Sequence, residues 1–386
     1  LRAGAGCAAK GWDAWMTGKT TIEWCSAVWN PTTGCTRVSV GCDNCYAFAL
    51  HDKRYAANLR AVQRTGDPYD GMTFREWLEG GRFRSDHPET VGRKDGLSLA
   101  AQYDLPFSRV QRLPDRLDDP LRHRRPERYF VDSMADLWHA DVPDEFIDKV
   151  FATMALAAHH TFLILTKRPE RMRLYAERWR AGDTSTDILA ADQQREGTGW
   201  KWPLTNVWLG ASVEDQTSAD ERIPHLLATP AAVRFLSCEP LLGPVDLSRF
   251  LVCIVCGGRG TIPWSQMAAG ASSSESVACP HCRQSTRRDN LDWVIVGGES
   301  GPHARPMDLA WMRSLMEQCR ATGVPVFCKQ LGSHVHDVAQ NSIEQERFGR
   351  DDADLIRGEI RVKLRESHGR DIDEWPEDLR VREFPR

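Results

Sequence analysis

Nothing in the 386-residue sequence approaches the run of about 20 consecutive apolar residues that a membrane-spanning helix requires. The first residues lack the apolar block of a secretory signal, so the expectation is a cytoplasmic chain with no membrane partner. Surplus charge of one sign is missing as well, since 50 Lys and Arg face 54 Asp and Glu for a formal net charge of -4. That balance excludes a uniformly basic nucleic-acid binder and leaves only local patches, of which Arg122, His123, Arg124, Arg125 and Arg128 form one. No internal repeat is present beyond a rhythm of strand and helix. With 41% hydrophobic and 27% charged residues, the composition excludes wholesale disorder. The chain opens on Leu1, and the Gly/Ala/Trp-rich run to Trp15 has no period; Met16 is the expected natural start, and residues 1–19 are expected to be a disordered or non-native extension.

What the sequence does have is cysteine. Twelve cysteines in a reducing compartment point to metal rather than to a disulfide framework, and seven of them fall into two spaced groups. The first group, Cys35, Cys42 and Cys45, has the spacing C-x6-C-x2-C. A cubane 4Fe-4S cluster needs four ligands, so three thiolates leave one iron open to the amino and carboxylate groups of S-adenosylmethionine (SAM). The competing metal reading is a Cys3His zinc site with His51 as the fourth ligand. The second group, Cys253, Cys256, Cys279 and Cys282, has the spacing C-x2-C-x22-C-x2-C, which is the pattern of a zinc ribbon. A ribbon of this kind stabilises a short insertion, here residues 251–290, and Arg259, Arg283, Arg287 and Arg288 give it positive charge suited to nucleic acid.

Along the chain, short β-branched apolar runs alternate with amphipathic helical stretches, the signature of βα units and a parallel sheet. Candidate strands are Thr21–Trp24, Arg109–Gln111, Tyr129–Asp132, Thr161–Thr166, Asn206–Ala211, Val233–Ser237, Trp293–Val296 and Val324–Cys328. Candidate helices are Asp144–Ala157, Glu170–Trp179, Ser218–Leu227 and Leu309–Thr322. The expected fold class is α/β, a (β/α) barrel of the TIM or partial radical-SAM type. It is formed by residues 20–250 and 291–339, with the zinc ribbon inserted at 251–290 and residues 340–386 packed on the barrel through Trp375, Leu379 and Phe384. Tyr55–Ala101 and Gly182–Trp200 read as decorations. Chemistry in such folds gathers where the strands end. The candidate strand ends supply Ser133 with Asp136, Lys167 with Arg168, Ser212 with Glu214, Glu239, Glu299 with Ser300, and Lys329 with Gln330.

Several motifs together make the chain resemble the phage and prophage proteins of unknown function that carry a radical-SAM-like three-cysteine motif. They include Thr21-Ile22-Glu23-Trp24, Trp29-Asn30-Pro31, Gly34-Cys35 through Ala47, and Asp132-Ser133-Met134-Ala135-Asp136-Leu137-Trp138-His139. They continue with Leu165-Thr166-Lys167-Arg168-Pro169, Gly210-Ala211-Ser212-Val213-Glu214, Ser237-Cys238-Glu239-Pro240-Leu241, Gly297-Gly298-Glu299-Ser300-Gly301 and the Trp375-Pro376 tail. The resemblance implies a radical SAM-type enzyme with a 4Fe-4S cluster on Cys35, Cys42 and Cys45, SAM on the open iron, and structural zinc on the second group. An electron donor such as flavodoxin or ferredoxin would serve it. Tyr46, directly after the last cysteine, would lie near the adenine, and Gly297, Gly298, Glu299 and Ser300 would bind SAM. The usual radical SAM spacing is C-x3-C-x2-C and the usual Gly-Gly-Glu follows the second strand. Here the first gap is three residues longer, and Gly297-Gly298-Glu299 follows the seventh candidate strand. Lys167 and Arg168 are expected to bind a phosphate or carboxylate, and Glu214 and Glu239 to hold ribose hydroxyls or transfer a proton. The phage setting, the ribbon and the cationic pair favour a nucleic-acid or nucleotide substrate. Two other classes stay open: a non-catalytic zinc-dependent nucleic-acid-binding protein, and a metal-dependent hydrolase, for which His139 and His303 are scattered.

Overall fold

Seven strands of this chain alternate so regularly that each builds two apolar layers at once. The structure is a computed structural model that describes residues 17–64, 101–103, 105–180, 202–251, 261–263, 276–278, 290–337, 354–356, 359–362 and 364–385. Its main sheet has eight strands: β1 (Thr17–Lys19), β2 (Ala27–Trp29), β3 (Arg128–Val131), β4 (Thr161–Thr166), β5 (Val207–Ser212), β6 (Val233–Cys238), β7 (Trp293–Gly297) and β8 (Val326–Gln330). They lie side by side in sequence order. β1 is antiparallel to β2. The other seven are parallel and curl into a half-barrel.

Parallel neighbours need crossovers; of the six, the one between β6 and β7 carries the insertion and the short helix Ser248–Leu251, and the other five are supplied by helices. These are α1 (Tyr46–Arg64), α2 (Asp144–Leu156), α3 (Pro169–Arg180), α4 (Gln216–Ala228) and α5 (Leu309–Thr322). The larger core lies between α2, α3, α4 and α5 and the outer face of the sheet, where Trp29, Val131, Phe162, Ile164, Leu209, Leu236, Val294 and Val326 point; α1 packs separately, on Phe107 and Met134. The residues between them in sequence face the inside of the curl: Val28, Phe130, Leu163, Phe235, Trp293, Ile295 and Phe327, joined by Trp24. Helix ends are chemically specified. Asp215 and Ser218 cap the start of α4 reciprocally, and Gly323, at φ 70°, ends α5 in the left-handed conformation.

Six of the eight candidate strands fall on strands of this sheet, and two do not. Thr21–Trp24 is a turn, with the Cys25 amide donating to the Ile22 carbonyl at 3.2 Å; its apolar pair is there because Trp24 fills the inside of the curl. The first parallel strand is instead Ala27–Trp29. Arg109–Gln111 overlaps a short ribbon, Gln111–Arg112 against Thr32–Thr33, that stands beside the sheet. Of the closed and the partly open barrel that the sequence allowed, the described residues form an open seven-strand half-barrel. Thr17–Lys19, assigned by sequence to the N-terminal extension, forms the antiparallel edge, and α1 runs into the segment read as a decoration.

Trp375 and Leu379 are buried against the outer core. Phe384 closes the bottom of the curl against Trp293 and Phe327, and Arg382 bridges to Phe327 in antiparallel fashion. Within the insertion, Thr261–Pro263 pairs with Ser276–Ala278. The four ribbon cysteines, Cys253, Cys256, Cys279 and Cys282, lie outside the described residues, as do the basic residues beside them.

Candidate functional site

The same period of two that fills the inside of the curl with aromatic rings lines its upper end with polar groups. Two residues beyond Phe130 stands Asp132; beyond Leu165, Lys167; beyond Gly210, Ser212; beyond Phe235, Ser237 and then Glu239; beyond Phe327, Lys329. All six polar side chains line one cavity of about 470 Å³ at the C-terminal ends of the strands, with Trp24, Phe130 and Leu165 as its apolar floor. That is the end where parallel α/β sheets place their ligands.

The cysteine loop forms one wall. It leaves β2 and is fastened to the loop after β3: Gly34 N–H donates to the Met134 carbonyl at 3.1 Å, and Thr32 donates to Asp132 through its amide and its hydroxyl at 3.0 and 2.8 Å. Gly34 has φ 93°, and a Cβ there would sit 2.5 Å from the Arg109 carbonyl oxygen, so only glycine fits this close approach. Cys35, Cys42 and Cys45 are all unpaired, partly buried and on the cavity wall. Burial pushes the Cys35 thiol up to about 11; Asp136 adds to this and Arg168 opposes it.

Three charged clusters hold that loop from outside. Arg168 donates to Asp136 Oδ2 at 2.9 Å, to Cys35 Sγ at 3.5 Å, and to the carbonyl and hydroxyl of Thr36 at 2.9 and 3.0 Å. Glu214, fully buried, accepts from Lys167 Nζ, from Arg222 at 2.9 Å and from Ser39 Oγ at 3.2 Å. Its burial favours the neutral acid, but the two cations outweigh that and hold the carboxyl below its usual range. Glu299 accepts from Asn44 at 3.0 Å and from the Arg305 guanidinium at 2.6 Å; burial opposes its charge and these donors prevail, so its pKa is also lowered. Arg305 in turn donates to the Val40 carbonyl at 2.8 Å.

The structure thus sorts the sequence candidates. Lys167, Arg168, Glu239, Tyr46, Glu299, Ser300 and Gly298 line the cavity with the three cysteines; Glu214 and Gly297 do not. Gly298 is needed for packing, because a Cβ there would stand 2.0 Å from the Leu331 carbonyl oxygen. Glu299 grips the cysteine loop rather than standing free. Glu239 accepts from Lys329 at 2.7 Å and from Gln330 at 2.9 Å. Tyr46, 55% exposed, donates its hydroxyl to the Ser133 carbonyl. The basic run Arg122–Arg125 is exposed in the loop leading into the N-terminal end of β3, remote from this mouth.

Residues that sequence reasoning left out are Asp132, Ser237, Asn44, Arg305 and Arg370. Asp132 and Ser237 continue the inward parity of their strands by one step, a signal that was present in the sequence. Asp132 is also the non-glycine residue with a left-handed backbone, at φ 57°, among the described residues. Burial pushes its carboxyl up to about 7 against the opposing bonds from Thr32. Arg370 arrives from the tail, and nothing local announces it.

The donors can be tested against candidate metals. A tetrahedral zinc ion, with bonds of about 2.3 Å to sulfur, draws its thiolates to within roughly 4 Å of each other. Among the described residues no group of three or more His, Cys, Asp or Glu side chains is arranged to hold a metal ion. His51 gives one ring nitrogen to the Leu105 carbonyl at 2.8 Å and packs on Tyr103 and Phe107, the role of a core histidine. His139 contacts Thr36 and His303 is exposed, so the hydrolase reading gains no ligand cluster. The three thiols of the first group are free and line one cavity. No curated protein and no solved structure matches the chain. Residues 19–376 match the family described as Protein of unknown function (DUF5131), and the chain belongs to that family.

Proposed function

We propose that this chain is an iron–sulfur enzyme of the radical SAM type, with a 4Fe-4S cluster on Cys35, Cys42 and Cys45 and SAM in the cavity beside it. The observation that carries this reading is that the three cysteines of one C-x6-C-x2-C loop are free and share a cavity wall at the C-terminal ends of a parallel half-barrel. When bound, the cluster would supply the single electron that cleaves the sulfonium of SAM, the source of a 5'-deoxyadenosyl radical.

The chain's own residues would do the rest. Tyr46 offers an exposed ring at the mouth for the adenine, and the Glu239–Lys329 pair offers a carboxylate and an ammonium to hydroxyls or to an amino-acid group. Lys167, held by Ser212 and Glu214, presents a fixed positive charge to the cavity. The floor of Trp24 and Phe130 excludes water from the inner end, which protects a reactive radical. A volume of about 470 Å³ sits in the lower half of the range for small-molecule sites, roughly 300–1,000 Å³. One nucleoside-sized molecule fills most of it, so the partner that reacts enters at the mouth. The class that matches the cationic Lys167 and Lys329 is a nucleotide or nucleic acid, with flavodoxin or ferredoxin as reductant.

Anaerobic purification followed by iron, sulfide and zinc analysis tests this reading. The expected result is about four irons with matching sulfide on the first cysteine group, and 5'-deoxyadenosine on reduction with SAM. Zinc at that loop, with no sulfide, would overturn it.

A further inference from the structure

We infer that Arg168 sets the reduction potential of the cluster through a charged hydrogen bond to the Cys35 sulfur; the inference rests on the iron–sulfur reading above. Among the described residues, Cys35 is the one cysteine of the three whose sulfur accepts a side-chain hydrogen bond, from Arg168 Nη1 at 3.5 Å. That guanidinium is not free to wander. Asp136 takes Nη1 at 2.9 Å, and Thr36, the residue after Cys35, takes Nη2 twice. Asp136 is itself pinned by Thr166 Oγ1 at 2.7 Å and by the Trp138 and Lys167 amides at 3.1 and 3.2 Å. A buried carboxylate, bonded on both oxygens, therefore holds a cation against one corner of the cysteine trio.

A positive donor on a ligand sulfur stabilises the state with the extra electron, because that electron makes the cluster and its thiolates more negative. Arg168 is only 16% exposed, so water screens little of this effect. This assignment differs from a fork on substrate phosphate, since both terminal nitrogens of Arg168 are already engaged by the protein.

The test compares wild type with Arg168→Met and Arg168→Lys after anaerobic cluster assembly, measuring iron and sulfide content and then the midpoint potential by titration followed with electron paramagnetic resonance. The expected result is equal loading, a midpoint shifted to more negative potential in Arg168→Met, and an intermediate midpoint in Arg168→Lys. Equal loading with an unchanged midpoint overturns the role of Arg168 and leaves the cluster reading standing. A wild type without iron and sulfide overturns both. Where Arg168→Met does not load because Asp136 is left unpaired, the double variant Arg168→Met/Asp136→Asn is read in the same way. If that variant also stays empty while wild type loads, Arg168 acts on assembly, and the inference about potential is overturned.

Discussion

The lower and upper halves of the half-barrel are built from the same strands with the same alternation, yet they are opposite in chemistry. Below, inward positions hold Phe130, Leu163, Phe235, Trp293 and Phe327, packed ring on ring, with Trp293 at 5.8 Å from Phe235 and 6.1 Å from Phe327. Above, the next inward positions hold Asp132, Lys167, Ser212, Ser237 and Lys329 around an open cavity. One half gains stability from removing apolar surface from water, and the other binds Asp132, Lys167, Ser212 and Lys329 to polar partners. Apolar packing is therefore concentrated below, and the polar cavity above.

The largest effect that sharpens this contrast is Trp293→Ala. The side chain is fully buried, touches three aromatic neighbours besides Phe384, and donates its indole N–H to the Glu383 carbonyl at 2.8 Å. Truncation should cost about 3–5 kcal/mol, read from the urea midpoint. A pair of glycine substitutions comes next. A Cβ on Gly210 would lie 2.5 Å from the Phe235 ring in the lower half, and one on Gly41 would lie 2.4 Å from Glu214 at the upper rim. Gly210→Ala should lose about 1–3 kcal/mol by overpacking a closed core. Gly41→Ala should lose less than about 1 kcal/mol, because its loop has solvent to move into, but it should change the alkylation rates of Cys35, Cys42 and Cys45 in iron-free protein. Equal stability losses at the two glycines would dissolve the distinction between the halves.

Most of the lower half was legible in the sequence because burial leaves a period of two in apolar residues. Thr161–Thr166 and Leu309–Thr322 match their candidate ranges to the residue. Thr21–Trp24 misled for the same reason: Ile22 and Trp24 alternate like a strand but serve the floor from a turn. The upper half was legible in part. Residue type marked Lys167, Glu239 and the cysteines, while partnership did not show, since Glu214 meets Ser39 across 175 positions and Asn44 meets Glu299 across 255. Such pairings depend on closure of the curl, which no local pattern encodes. Arg370 is the extreme case, a cation delivered to the mouth by a tail whose visible signal was only Trp375, Leu379 and Phe384.

A pH-dependent effect lies at the boundary between the halves, in Asp132. It directly follows β3, among the described residues no cation bonds its carboxylate, and burial raises its pKa to about 7. An unfolded aspartate titrates near 3.9, so between about pH 4 and pH 7 the folded chain holds a proton that the unfolded chain has released. Stability from this group is fully present below about pH 4 and is lost as the pH rises through 7. Asp132→Asn cannot release that proton. The difference in urea midpoint between wild type and Asp132→Asn should therefore drift with pH across this window, with wild type losing ground toward pH 7. Trp293→Ala should instead shift the whole curve by a constant amount, since the rings it contacts carry no group that titrates in that range. A flat Asp132 difference would mean that water reaches the carboxylate, and that the dry lower half ends beneath this residue rather than at it.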